Sequence, residues 1–133
     1  MLREKSTQQK PTLQDMCDEI QQMGDILACY AFNKEGKLLG ASYGPIVMDE
    51  KLRQDFSQLA AGTWSDLERV TTIGGDIVIV SITYENFKIL GFPIKKSNAA
   101  MLLTIDNSID AQKVEQRVKD FVSYWMKVNH YIE

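Results

Sequence analysis

The sequence predicts an α+β sandwich: a five-stranded antiparallel sheet flanked by helices, in the order α-β-β-α-β-β-β-α. Three observations carry this. Apolar residues recur at helical spacing in three separate stretches. Five largely apolar, strand-like runs lie between those stretches, the run from Asp76 to Tyr84 strongly β-branched. Within each group the runs are joined by turns too short for a crossover, so neighbours in a group are antiparallel.

The elements follow in chain order. Met1 to Lys10, MLREKSTQQK, is polar and aperiodic, and is expected to be a flexible tail at residues 1–10. A single domain should occupy residues 11–133, since 133 residues make one ordinary domain with a core of its own. Thr12 is a natural N-cap, and Asp15 three residues on resembles the partner in a capping box. Leu13, Met16, Cys17, Ile20 and Met23 then form one apolar stripe, and Gly24 ends it.

Asp25 to Phe32, DILACYAF, is apolar almost throughout and reads as a central strand covered on both faces. Asn33-Lys-Glu-Gly36 is turn chemistry, with Gly36 free to take positive φ. Lys37 to Gly44, KLLGASYG, is a second, weaker strand in which Gly40 implies a bulge or a close backbone approach. Gly44-Pro45 breaks the sheet, and Asp49 can cap the next helix, which runs to about Arg69. Its expected inward stripe is Leu52, Phe56, Leu59, Ala60, Thr63 and Leu67. Trp64 falls at the edge of that stripe beside the small residues Ser57, Ala61 and Gly62, a pattern that suits either packing by a second chain or the margin of the core.

Three strands follow: Asp76 to Tyr84 (DIVIVSITY), Phe87 to Lys95 (FKILGFPIK) with Pro93 near its end, and Ala99 to Ile105 (AAMLLTI). Asp110 caps the last helix, and Ile109 with Val114 can staple that cap. Val114, Val118, Phe121, Val122, Trp125 and Val128 form its stripe.

Composition narrows the function. The net charge of −3 and the absence of clustered Lys and Arg, apart from Ile94-Lys-Lys-Ser97, speak against nucleic-acid binding. No apolar run is long enough for a signal peptide or a membrane span, so a cytoplasmic protein with reduced thiols is expected. Cys17 and Cys29 then read as small buried hydrophobes. His130 is the only histidine and lies at the chain end, a poor place for a triad base. Two distant cysteines and His130 do not make a metal site. Gly74-Gly75 leads into a strand, which lacks the helix dipole a phosphate loop needs. Asp106 and Asp110 fit turn and cap roles. No catalytic residue, metal ligand or cofactor is expected.

The strand pair around NKEGKLLG (Asn33 to Gly40), the helix after it, and IVIVSITYENFKILGFPIKKSNAAMLLTID (Ile77 to Asp106) before a closing helix resemble the roadblock/dynein-light-chain, longin-like family. Within it they look most like archaeal roadblock-like proteins of unassigned function. The resemblance spans about Leu13 to Trp125; the aromatic C-terminal extension from Tyr124 to Tyr131 departs from it.

The resemblance implies a non-enzymatic dimer in which the long middle helices pack side by side and the third strands pair. It implies a platform that binds, and regulates or scaffolds, a Ras-like small GTPase. The partner chain would be a second copy or a paralogue. Carried to this chain, the candidate dimer-interface residues are Phe56, Ala60, Ala61, Trp64, Ile77, Ile79 and Ser81. The run Ile77-Val-Ile-Val80 adds a physical reason, because an uncovered apolar edge strand would template aggregation. The alternative is a small-molecule sensor of the PAS or GAF type, which needs a pocket between sheet and helix. Phe32, Phe56, Phe92 and Trp125 are placed to fill that space instead.

Overall fold

The computed structural model describes residues 11–33, 35–44, 50–94 and 97–129. The tail at 1–10, Pro45, Asp49, the Lys95-Lys96 pair, His130 and Tyr131 lie outside the described residues, as do the side chains of Leu52, Arg53, Phe56 and Ser57.

The elements are α1 (Leu13–Gln21), β1 (Ile26–Asn33), β2 (Leu38–Tyr43), α2 (Glu50–Glu68), a short turn of helix α3 (Thr71–Gly74), β3 (Val80–Thr83), β4 (Phe87–Ile94), β5 (Ala99–Asp106) and α4 (Ala111–Val128). The strands form one antiparallel sheet in the order β2-β1-β5-β4-β3. This is the predicted architecture, with β1 and β5 at its centre. Both are buried along nearly their whole length.

The caps form as the residues dictate. Thr12 Oγ1 accepts from the Asp15 N–H, and Asp15 Oδ2 accepts from the Thr12 N–H. Asp110 Oδ1 accepts from the N–H groups of Gln112 and Lys113. In the β1–β2 turn, Asn33 Oδ1 accepts from the N–H groups of Glu35 and Lys37, while Gly36 adopts φ +92°.

Opposite faces of the sheet carry separate cores. On one face α1 and α4 cover Cys29, Ala31, Leu90, Phe92, Met101 and Leu103 with Met16, Cys17, Ile20, Val118 and Trp125. Trp125 Nε1 donates to Glu19 Oε2 at 3.3 Å, tying α4 to α1. The other face holds a smaller cluster of Ala28, Tyr30, Phe32, Ile89 and Leu102, to which α2 contributes Ala61.

Gly40 is both features that its position implied. The β1–β2 register shifts between Ala31 and Phe32, opposite Gly40 and Leu38. A Cβ on Gly40 would also lie 2.9 Å from the Gln14 backbone, so α1 rests directly on β2 there.

Cys17 on α1 and Cys29 on β1 are both fully buried, as expected, and neither is in a disulfide. The hydrogen bond between them, then burial, pushes the Cys29 thiol well above its ordinary value of 9.0. Above about pH 9 the unfolded chain therefore releases a proton that the folded chain keeps. Stability contributed by this thiol is full below that pH and is lost as pH rises, by at most about 1.4 kcal/mol per pH unit. Thermal melts of the wild type and Cys29→Ala across the alkaline range should show the shallower decline in the variant.

Two expectations are corrected. The strand expected over Asp76 to Tyr84 is ordered only as Val80–Thr83, and residues 71–74 form the extra turn α3. Pro93 supplies the reason. The β3–β4 register starts at Val80↔Gly91, so the next hydrogen-bonded pair outward would be Val78 with Pro93. Pro93 has no N–H to donate, and the ladder stops. The β4–β5 ladder continues past it, through Pro93↔Ala100.

The second correction concerns the facing of α2. Leu59 and Thr63, expected inside, are exposed, Leu59 by 64%. Trp64, expected at the margin, is the helix's main anchor and is 2% exposed. Its ring lies over Gly91, where an added Cβ would come within 3.1 Å of it. Its Nε1 donates to Glu68 Oε2 at 3.1 Å.

Candidate interaction surface

A sheet of this order has two edge strands, β2 and β3, and the protein treats them differently. The phase of each ladder tells which backbone groups point outward. In the first hairpin the Gly44 N–H donates to Leu27 O at 2.8 Å. Alternation along the β1–β2 register then turns the N–H and C=O of Ala41 away from β1. Both groups are taken by one side chain. Gln14 Oε1 accepts from the Ala41 N–H at 2.9 Å, and Gln14 Nε2 donates to Ala41 O at 2.6 Å. The amide of Gln14 stands where the peptide of an added strand would lie.

This makes a direct prediction. Gln14→Leu should cost about 1–2 kcal/mol by leaving two backbone groups without their partner. It should also bare the β2 edge, and static light scattering should detect species larger than those of the wild type at equal concentration.

At the other edge, the Tyr84 N–H donates to Phe87 O at 2.8 Å across the tight β3–β4 turn. In the β3–β4 register the exchanging pairs are then Ile82 with Ile89 and Val80 with Gly91. Ser81 and Thr83 point their backbone groups outward. The strand and its approach carry no charged side chain from Ile77 to Tyr84. Val78 is 71% exposed, Ile79 38% and Ile82 40%, and Tyr84, Val70 and Ile73 are exposed as well. Leu59 on α2 is exposed too. An apolar edge strand left bare is a template for association with another chain.

The predicted interface residues fall in three groups. Ile79 and Ser81 are exposed on this edge, and Ile77 is half-buried beside it. Ala60 is half-buried on α2. Ala61 and Trp64 face inward, Ala61 toward the β1–β2 turn, where a Cβ on Gly36 would be 3.4 Å from its carbonyl oxygen. The side chain of Phe56 lies outside the description. The prediction missed Gln14, Leu59, Val78 and Ile82. The exposure of Leu59 follows from the rotation of α2, which the spacing of its apolar residues did not reveal.

Other chemistry finds little support. Among the described residues no three His, Cys, Asp or Glu side chains are grouped to hold a metal ion. No described helix is long and apolar enough to cross a membrane. Asp106 has its carboxyl held below the usual range by the N–H and hydroxyl of Ser108, a local turn interaction. One depression of about 550 Å³ is lined by Gln21, Gly24, Asp25, Asp106 and Ile109, and another of about 410 Å³ by Leu38, Tyr43, Glu50, Gln54 and Gln58. Both open to solvent. Phe32, Phe92 and Trp125 are buried in the layers between sheet and helices, where a sensor would keep its ligand.

No protein-family model matches the chain, and no curated protein is similar to it in sequence. Solved structures do match. MglB from Myxococcus xanthus aligns with TM-score 0.71 and 13% identity, covering 90% of this chain and 96% of that one. A Roadblock/LC7 domain from Streptomyces avermitilis aligns with TM-score 0.68 and 11% identity, covering 88% and 96%. The gliding protein MglB from Thermus thermophilus aligns with TM-score 0.63 and 11% identity, covering 83% and 84%. None of these sources bears on the archaeal part of the resemblance. With its element order and single five-stranded antiparallel sheet, and with alignments that cover most of both chains, this protein has the Roadblock/LC7 fold.

Proposed function

We propose that this protein is a non-enzymatic interaction module that dimerises through β3 and α2 and binds a Ras-like small GTPase, which it regulates or scaffolds. The observation that carries the dimer is the contrast between the two sheet edges. The β2 edge is closed by Gln14 of the same chain, whereas the apolar, uncharged β3 edge is capped by none of the described residues. A two-fold pair of β3 strands would extend one sheet across both chains and bury that edge, with the exposed side of α2, marked by Leu59, beside its counterpart. Ala61 and Trp64 hold α2 on its own sheet in this reading; Ala60, Ile77, Ile79 and Ser81 lie nearer the second chain.

The resemblance to roadblock domains supports the GTPase partner, and the shared fold is consistent with it. The exposed Arg69 is engaged with Asp66 at 3.4 Å, and the proposal gives it no catalytic role. Regulation would then act by repositioning the GTPase's own residues.

The test is capture from native lysate by the purified protein, with GDP and with a non-hydrolysable GTP analogue, read by mass spectrometry. The expected result is a small GTPase retained preferentially in one nucleotide state. Retention of no GTPase in either state overturns the partner assignment, while light scattering on the same sample tests the dimer separately.

A further inference from the structure

Independently of the dimer reading, we infer that Cys17 and Cys29 are a redox pair: a peroxide converts them to a disulfide that fixes α1, and with it the Gln14 cap, on the sheet. Both thiols are 0% exposed, and both belong to the core between the sheet and the helices α1 and α4. Cys17 lies on the inward stripe of α1 with Met16 and Ile20, and Cys29 lies on the face of β1 that α1 covers. The two side chains hydrogen-bond to each other, so their sulfur atoms are already in contact, and neither is in a disulfide. As small hydrophobes they fill the joint. As a pair they can also give up two electrons together, which no other apolar side chains in that space could do.

While α1 is seated the pair is inert. Solvent reaches neither sulfur. The nucleophile toward a peroxide is the thiolate, which the hydrogen bond with Cys17, then burial, disfavours at Cys29. Reaction therefore requires α1 to lift. A nine-residue helix docked on the outside of a sheet opens locally at much lower free energy than the central strands beneath it. The chain leaves this helix through a bend at Gly24 and Asp25, with φ +91° and +70°. Arg117 of α4 holds the bend, donating to Gly24 O at 3.0 Å and pairing with Asp25 at 3.5 Å. The bend stays in place while the helix moves about it.

The chemistry balances with a peroxide as the oxidant. In the lifted state one thiolate attacks an oxygen of hydrogen peroxide, the O–O bond breaks, hydroxide leaves, and the sulfur becomes a sulfenic acid. When α1 reseats, the second thiol gives up its proton and its sulfur attacks the sulfenic sulfur. The S–S bond forms, the S–O bond breaks, and water leaves. Two thiols and one peroxide give one disulfide and two waters, the thiols losing two electrons and the peroxide gaining them. The consequence falls on β2. Asp18 Oδ1 accepts from Gln14 Nε2 at 3.0 Å and orients the amide, and Gly40 lets α1 come close enough for it to reach Ala41. Cys17 is one helical turn from Gln14, so a bond from Cys17 to β1 holds the cap in place. The disulfide keeps the β2 edge closed, and reduction restores the motion that bares it.

The test uses the wild-type chain. It is exposed in native buffer to hydrogen peroxide under conditions that fully oxidise the urea-unfolded chain, then denatured with a thiol-blocking reagent and read by intact mass and non-reducing peptide mapping. The expected product is a single chain linked from residue 17 to 29, two hydrogens lighter, and restored by dithiothreitol. Two thiols still free, separate sulfinic acids, or a disulfide between chains would each overturn the pair.

Two further readings test the motion and the lock. Gln14→Leu removes two of the hydrogen bonds that seat α1, and should form the disulfide faster than the wild type. An equal or lower rate overturns the lifting of α1 as the gate. The Ala41 N–H points away from β1 and is held by Gln14, so its hydrogen exchange, followed by nuclear magnetic resonance, reports how often the cap lifts. Exchange there should be at least about tenfold slower in the oxidised chain than in the reduced one. A disulfide that forms while exchange at Ala41 is unchanged or faster overturns the lock.

Discussion

Trp64→Ala is expected to lower stability by about 3–5 kcal/mol, the largest effect of any single truncation among the described side chains of α2. Trp64 is the bulkiest buried side chain that this helix contributes. Its ring lies over Gly91 on β4, and its N–H is satisfied by Glu68 on the same helix. Truncation removes the apolar contact, opens a cavity over β4 and leaves Ala61 as the remaining fully inward anchor among the described α2 side chains.

Chemical denaturation with tryptophan fluorescence and far-ultraviolet circular dichroism would measure the loss, with Trp125 as the remaining fluorophore. The loss should appear as a lower denaturation midpoint with the slope largely kept. An effect below about 1 kcal/mol combined with a loss of dimer would place Trp64 between chains instead of within one.

Ile79→Asp is expected to have the opposite profile. Ile79 is 38% exposed on the open edge, and it precedes the four residues that pair with β4. The isolated chain should accept the carboxylate with a change of about 0.5 kcal/mol or less, as exposed positions usually do. If a second copy pairs along β3, the same charge would be carried into the joint and away from water. Burial of an unpaired carboxylate should weaken association by about 3 kcal/mol, or roughly a hundredfold in Kd.

Light scattering across a dilution series measures the association, and a melt at low concentration measures the fold. An unchanged dimer with unchanged stability would show that this segment does not meet a second chain. Taken together, Trp64→Ala and Ile79→Asp separate what holds α2 on its own sheet from what would join two sheets.

Much of this was legible from residues alone because it depends on local rules. Thr12 with Asp15, Asp110, Asn33 and Gly36 each act on backbone groups a few residues away, and each does so in the structure. The runs that became β1 and β5 are apolar on both faces, as strands covered on both sides are. The element order followed from these signals, and the Roadblock/LC7 fold from the element order.

The candidate surface was only half legible. The uncharged run from Ile77 to Tyr84 marked an edge in need of cover, and Ile79 and Ser81 are indeed exposed on it. How much of that run becomes strand depended on Pro93 in the next strand, through a ladder whose register must be known before the missing N–H can be placed. The facing of α2 was misread because its apolar residues surround much of the helix. Spacing then offers two inward sides, and the bare backbone of Gly91, which admits the Trp64 ring, selects between them.

Sequence by itself determined the helices, the turns, the central strands and the class of sheet they form, since hydrophobic period and capping chemistry act within a few residues. Only the tertiary structure decided which edge is open. That depends on Gln14 reaching Ala41 across 27 residues, on Trp64 finding Gly91, and on the order in which strands lie side by side. Contacts between distant residues are set by the packing of whole elements against one another, and no local pattern encodes which surface that packing leaves bare.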